Sequence, residues 1–171
     1  MRSFFSALGL LAALVMAAPA HAQFANHSLG LSAGYMNFNN TASLDSTVFI
    51  GFDASLYIEN GFEVVSLTKI AFPEDPITGH RVVGLAPSLG IRYLFMEENI
   101  RPYIGADLSY LHVFKDQGEQ NFVGLGPNAG IEFFVSDSVS LGARAQFNAY
   151  LSLSERVQTS LILSAGTAVY F

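Results

Sequence analysis

Gly124 to Phe133 reads GLGPNAGIEF, and forty residues earlier Gly84 to Tyr93 reads GLAPSLGIRY. In the later copy Leu125, Pro127, Ala129, Ile131 and Phe133 alternate with Gly124, Gly126, Asn128, Gly130 and Glu132. Strict alternation over this length is the signature of a strand with one apolar face. Each copy carries a proline at its centre, and the ion on the small-residue face is Arg92 in one copy and Glu132 in the other. Duplication of a forty-residue hairpin accounts for the pair.

The same period runs through the chain. It predicts strands over 27–38, 47–58, 62–72, 82–93, 103–112, 122–135, 139–151 and 159–171. In 139–151, for example, Val139, Leu141, Ala143, Ala145, Phe147, Ala149 and Leu151 oppose Ser140, Gly142, Arg144, Gln146, Asn148 and Tyr150. The segment 62–72 fits least well, because Val65 and Leu67 share a face with Glu63 and Lys69. Short joints at 59–61, 96–101 and 136–138 alternate with longer ones at 39–46, 73–81, 113–121 and 152–157, the rhythm of consecutive hairpins.

A soluble sandwich buries its apolar face and wets the other with Lys and Glu. Here the polar face is Gly, Ser, Asn and Gln with isolated ions, and charged residues make up only 13% of 171 residues. That is too few for a soluble surface of this size. The inverted arrangement, apolar outside and small polar inside, suits a closed barrel in lipid. Tilted strands of about 10 residues cross a bilayer, and closure satisfies every backbone group. The expected fold class is all-β: an eight-stranded antiparallel up-and-down transmembrane β-barrel, filled by its own inward side chains. Gly84, Gly90, Gly124 and Gly130 are expected to leave room inside. Tyr35, Tyr93, Phe95, Phe133, Phe134, Tyr150 and Phe171 are expected in aromatic girdles at the strand ends. Pro87 and Pro127 each forfeit a ladder hydrogen bond, so a bulge or a place near the rim is expected for them.

The chain begins MRSFFSALGLLAALVMAAPAHA. A basic n-region, a short apolar run and an Ala20-His21-Ala22 site are the parts of a secretory signal peptide, expected to be cleaved near Ala22. The domains are then 1–22, the signal peptide, and 23–171, the barrel. Seven basic side chains then face fourteen acidic ones, a balance that argues against nucleic acid as a partner. The absence of Cys removes disulfides, thiolate catalysis and Cys-type metal sites.

The signal peptide, RPYIGADLSYLHVF (Arg101 to Phe114), GPNAGIEFFVSDSVSLGARAQF (Gly126 to Phe147) and the terminal SAGTAVYF together resemble the OmpA-like family of small outer-membrane β-barrel proteins. The resemblance covers the whole chain after the signal. It implies an integral protein of the bacterial outer membrane in the Gram-negative envelope, a monomer surrounded by outer-membrane lipid and lipopolysaccharide. It also implies recognition by the barrel assembly machinery through the C-terminal strand, where Phe171 and Val169 match the expected signal and Thr167 fits less well. No peptidoglycan-binding domain is expected after Phe171.

Function is less legible, because this fold hosts several. Asp53, Arg92, Asp107, Glu132 and Arg144 are expected inside, with Glu63 and Lys69 joining them on one of the two phases of their strand. In a narrow lumen they are expected to pair, Asp107 and Glu132 against Arg92 and Arg144. The favoured role is structural or interactive within the envelope. The alternative is a narrow, porin-like channel for ions or small solutes. A lipid-modifying enzyme is the third reading, and His112 lacks the spacing to a serine that it needs. The acidic loop residues Asp45, Glu74, Asp75, Asp116 and Glu119 show no calcium-loop spacing, and neither a metal nor a cofactor is expected.

Overall fold

A computed structural model describes residues 26–39, 45–74, 79–96, 98–115, 118–151 and 157–171. The proposed leader, Met1 to Ala22, lies outside them, as do Asp75 and Asp116. Eight strands follow in chain order: β1 (His27–Asn39), β2 (Thr47–Glu59), β3 (Phe62–Ala71), β4 (Val83–Leu94), β5 (Ile100–Lys115), β6 (Gly118–Ser136), β7 (Val139–Leu151) and β8 (Gln158–Tyr170). Each pairs antiparallel with the next, and β8 pairs with β1, so the sheet is a closed barrel.

Closure leaves no strand edge, which is the only way a sheet can meet hydrocarbon without unpaired N–H and C=O groups. The seam runs from Ser28 opposite Tyr170 to Asn39 opposite Thr159, and Phe171 N donates to His27 O at 3.0 Å beyond it. At this same end of the barrel, between β2 and β3, Asn60 (φ 54°) and Gly61 (φ 82°) make a two-residue turn with both residues left-handed. That geometry matches the twist of the flanking strands and selects an Asn-Gly pair.

The alternation read from sequence sorts the side chains as expected. Leu89, Ile91, Leu108, Leu125 and Leu163 project outward and are all more than half exposed. The other phase is buried. Strand β3, undecided in the sequence, turns Glu63, Val65, Leu67, Lys69 and Ala71 inward.

Three expectations need correction. The joint at 113–121 is mostly strand, because β5 and β6 pair continuously from Ile100 opposite Phe133 to Lys115 opposite Gly118. Neither proline sits at a bulge or a rim. Leu85 faces His112 and Ser88 faces Ser109, while Leu125 faces Ala149 and Asn128 faces Gln146, so register is kept across both. Pro87 pairs normally with Thr68 and Pro127 with Ala106, and each ladder is interrupted on one side only. Finally, Phe134 and Tyr150 belong to no girdle. Both have the inward parity of Glu132 and Arg144, and Tyr150 is buried in the lumen. Tyr35, Tyr93, Phe95, Phe133 and Phe171 do face outward near the strand ends.

The outward face gives a direct test of the inside-out reading. Leu108→Arg, at an exposed position that a soluble protein would tolerate, is expected to lower barrel stability in phospholipid vesicles by about 2–4 kcal/mol. Denaturant unfolding followed by unheated gel mobility measures it.

Candidate functional site

The lumen is the candidate site, and the inward phase builds it in layers. Among the residues whose side chains are described, eight charged ones point into it: Asp53, Glu63, Asp107 and Glu132 against Lys69, Arg92, Arg101 and Arg144. Their formal charges cancel. A neutral set is what a low-dielectric interior demands, since each uncompensated ion there costs several kcal/mol.

One cluster spans β3, β4, β6 and β8. Arg92 Nε donates to Glu63 Oε2 at 2.5 Å, and Arg92 Nη1 lies 2.9 Å from Glu132 Oε1. The Tyr170 hydroxyl donates to Glu132 Oε2 at 2.6 Å. Arg92 is also stacked over the Tyr103 ring, 4.7 Å from its centroid. Ser55 donates to Glu63 and is itself 2.6 Å from Ser28, which carries the chain of contacts to β1 and β2. The arginine and glutamate that replace each other in the two repeats therefore meet across the lumen. Gly130, behind them, leaves the space that the Tyr103 ring occupies, and no larger residue fits there.

A second cluster joins β5, β6 and β7. Arg144 Nη2 and Asn128 Nδ2 both donate to Asp107 Oδ2, the latter at 2.8 Å. Gly90 gives Asp107 its room, with Asp107 Cγ 3.0 Å from where a Cβ would stand. Above it Gln146 Nε2 donates to Asn148 Oδ1 at 2.9 Å, and Asn148 Nδ2 reaches the Tyr150 hydroxyl at 2.9 Å. Asp53 accepts from Ser32 at 2.8 Å. Lys69 is 1% exposed, and its Nζ has no hydrogen-bond partner among the described residues. Arg101 was missed in the sequence although it shares the parity of Tyr103 and Asp107. Its guanidinium caps the short-turn end, 4.2 Å from the Phe134 ring centroid and 5.6 Å from that of Tyr170.

The long-joint end is built differently. Met36, Phe38, Phe49, Ala71, Ala86, Leu111, Val113, Phe122, Tyr150 and Ile162 form one buried apolar cluster inside the barrel. On the short-turn side, a cavity of about 70 Å³ lies mainly against β1, β2, β7 and β8 and reaches Arg92 and Glu132, with Ser28, Ser32, Asp53, Ser55, Ser140, Arg144 and Ser164 on its wall. Water fits this space, whose wall carries serine hydroxyls and ions beside its apolar side chains.

Val169 and Phe171, the residues expected to signal assembly, have the outward parity of their strand. The Phe171 ring stacks on His27 with centroids 6.2 Å apart. Thr167, the weaker match, is exposed on the lipid side and donates its hydroxyl to Ser140 O at 2.9 Å, which satisfies the group in place. Among the described residues no three of His, Asp and Glu converge as a metal-binding group.

A family model described as "outer membrane protein beta-barrel domain" matches residues 6–165. The curated proteins contain no match to the chain. Among solved structures, the Neisserial surface protein A is 21% identical with a TM-score of 0.67, over 85% of this chain and 97% of that one. The outer membrane protein OprG of Pseudomonas aeruginosa is 11% identical with a TM-score of 0.56, over 86% and 97%. The N-terminal barrel domain of OprF from the same organism is 18% identical with a TM-score of 0.53, over 82% and 96%. At these identities the likeness is one of fold.

Removing one ion from the second cluster separates pairing from mere polarity. Arg144→Met leaves the buried Asp107 carboxylate with Asn128 alone and is expected to destabilise the barrel by about 3–5 kcal/mol. Asp107→Asn combined with Arg144→Met removes both charges and is expected to recover a large part of that loss. Equilibrium unfolding of the three proteins in one lipid system checks both statements.

Proposed function

Because this chain belongs to the family of outer membrane β-barrel domains, we propose for it a role at the surface of its barrel and none through its bore. It is an integral β-barrel of the bacterial outer membrane. Our reading is a sealed scaffold whose joints and rims meet envelope partners. The observation that carries it is the apolar cluster around Phe49, Leu111 and Phe122, which fills the lumen beneath the long joints. An ion crossing that layer would exchange most of its hydration for apolar side chains, with only isolated polar groups such as the Tyr150, Thr47 and Ser160 hydroxyls beside it. The paired ions below are then struts, and the small cavity is a blind pocket behind the seal.

Longer joints face outside and short turns the periplasm in barrels of this class. On that orientation the apolar seal lies at the cell surface and the Arg101 cap at the periplasm. A non-enzymatic role accords with the histidines. His27 stacks on Phe171, His80 lies exposed in a joint, and His112 stands on the outer face while Ser109 is buried inside, donating to Gly124 O. Assembly through Val169 and Phe171, and a lipopolysaccharide environment for the outward face, complete the reading.

Planar-bilayer recording of the refolded protein tests it. The wild type is expected to be silent, and Phe49→Ala combined with Phe122→Ala is expected to produce discrete openings. Steady conductance from the wild type, altered by Arg144→Met, would favour the narrow-channel reading instead.

A further inference from the structure

The outward face is apolar almost everywhere, yet on the β5–β6 hairpin it carries three polar side chains joined to one another. Asn121 Oδ1 accepts from the Tyr110 hydroxyl at 2.7 Å and lies 2.5 Å from His112 Nδ1. The Tyr110 and His112 rings are nearly parallel, 17° apart, and Phe114 meets His112 edge-on with centroids 4.2 Å apart. Around them stand Val83, Leu85, Leu108 and Val123, all exposed and all apolar. Leu111 and Val113, the inward neighbours on the same strand, belong to the apolar seal, which puts this rung at the long-joint end.

A polar group facing hydrocarbon carries a desolvation cost that it escapes at the headgroup level. Since Asn121 spends its carbonyl oxygen on two donors, what it presents outward is its amide N–H₂, a pair of hydrogen-bond donors. Beside that amide runs a ladder of ring faces, with Tyr110 42% and Phe114 48% exposed. Amide donors flanked by aromatic faces match the oxygens and the C–H face of a sugar. A bare phosphate would call for Arg or Lys, and among the described residues of known side-chain position no such cation stands in this patch.

We propose that Tyr110, His112, Phe114 and Asn121 form a seat for the amino-sugar headgroup of an outer-leaflet glycolipid. The site deepens the scaffold reading and rests on the long-joint end facing outside. It fixes the height of the barrel in the membrane.

The test is NMR of the Asn side-chain amides in the refolded protein, in nanodiscs of phosphatidylcholine alone, with lipid A, and with phosphatidylglycerol at equal phosphate. Lipid A is expected to shift the Asn121 amide saturably, and phosphatidylglycerol several-fold less. Asn121→Leu is expected to lower lipid A retention through detergent exchange at least threefold while unheated gel mobility is unchanged; Tyr110→Phe gives the same comparison if that variant does not fold. An Asn121 amide that is the same in all three discs, or that responds equally to phosphatidylglycerol, overturns the proposal. Both leaflets of the disc carry the lipid, so a reversed orientation in the cell leaves this result untouched and the two readings fail separately.

Discussion

The ladder between β1 and β8 is the constraint on which the other features depend. Twelve residue pairs, from Ser28 and Tyr170 to Asn39 and Thr159, join the first strand to the last. Without them β1 and β8 would each expose a row of unpaired amides to hydrocarbon, at several kcal/mol per group. Once the ring is closed, the number of strands limits the bore, and every inward side chain must fit against those of the other seven strands. This is why glycine stands behind Asp107 and behind the Tyr103 ring, and why the ions inside come in equal numbers.

The interior also divides along its length. Toward the short turns it is held by ions whose partners come from distant strands: Glu63 and Glu132 both reach Arg92, and Tyr170 ties β8 to β6. These contacts bring four strands together independently of the backbone ladder. Toward the long joints the same inward phase changes to Phe, Leu, Met and Ile. The change moves the lumen from a medium of paired ions to a mainly apolar one, with Lys69 at its edge opposite Ala86. Lys69 lies at 1% exposure with no hydrogen-bond partner among the described residues.

Most of the fold was legible because a period of two is enforced by lipid on one side and by a narrow lumen on the other. Eight strands, their order and the outward set all follow from it, as does the juxtaposition of Arg92 with Glu132. Strand β3 resisted because Val65 and Leu67 are apolar yet inward, on the same face as Glu63 and Lys69. The extent of β5 and β6 was hidden because their hairpin reads Lys115 to Asn121 as KDQGEQN. A stretch so polar carries no alternation of apolar and polar residues, and in sequence it looks like a loop. Phe134 and Tyr150 were misplaced by proximity to the strand ends, although their parity already put them inside. The apolar seal was present in the sequence as Met36, Phe38, Leu111 and Val113 on the inward phase, but its unity required closure of the barrel.

The central claim is that the lumen is wet on one side of an apolar layer and dry within it. The protein has no cysteine, so single substitutions report without background. The most direct measurement is the rate at which a small charged thiol reagent modifies Ser164→Cys, on the cavity wall, and Val113→Cys, in the seal, in folded barrels reconstituted in vesicles. The account predicts reaction at position 164 and protection at 113 by orders of magnitude. Equal rates at the two positions would mean a continuous aqueous path and would contradict it.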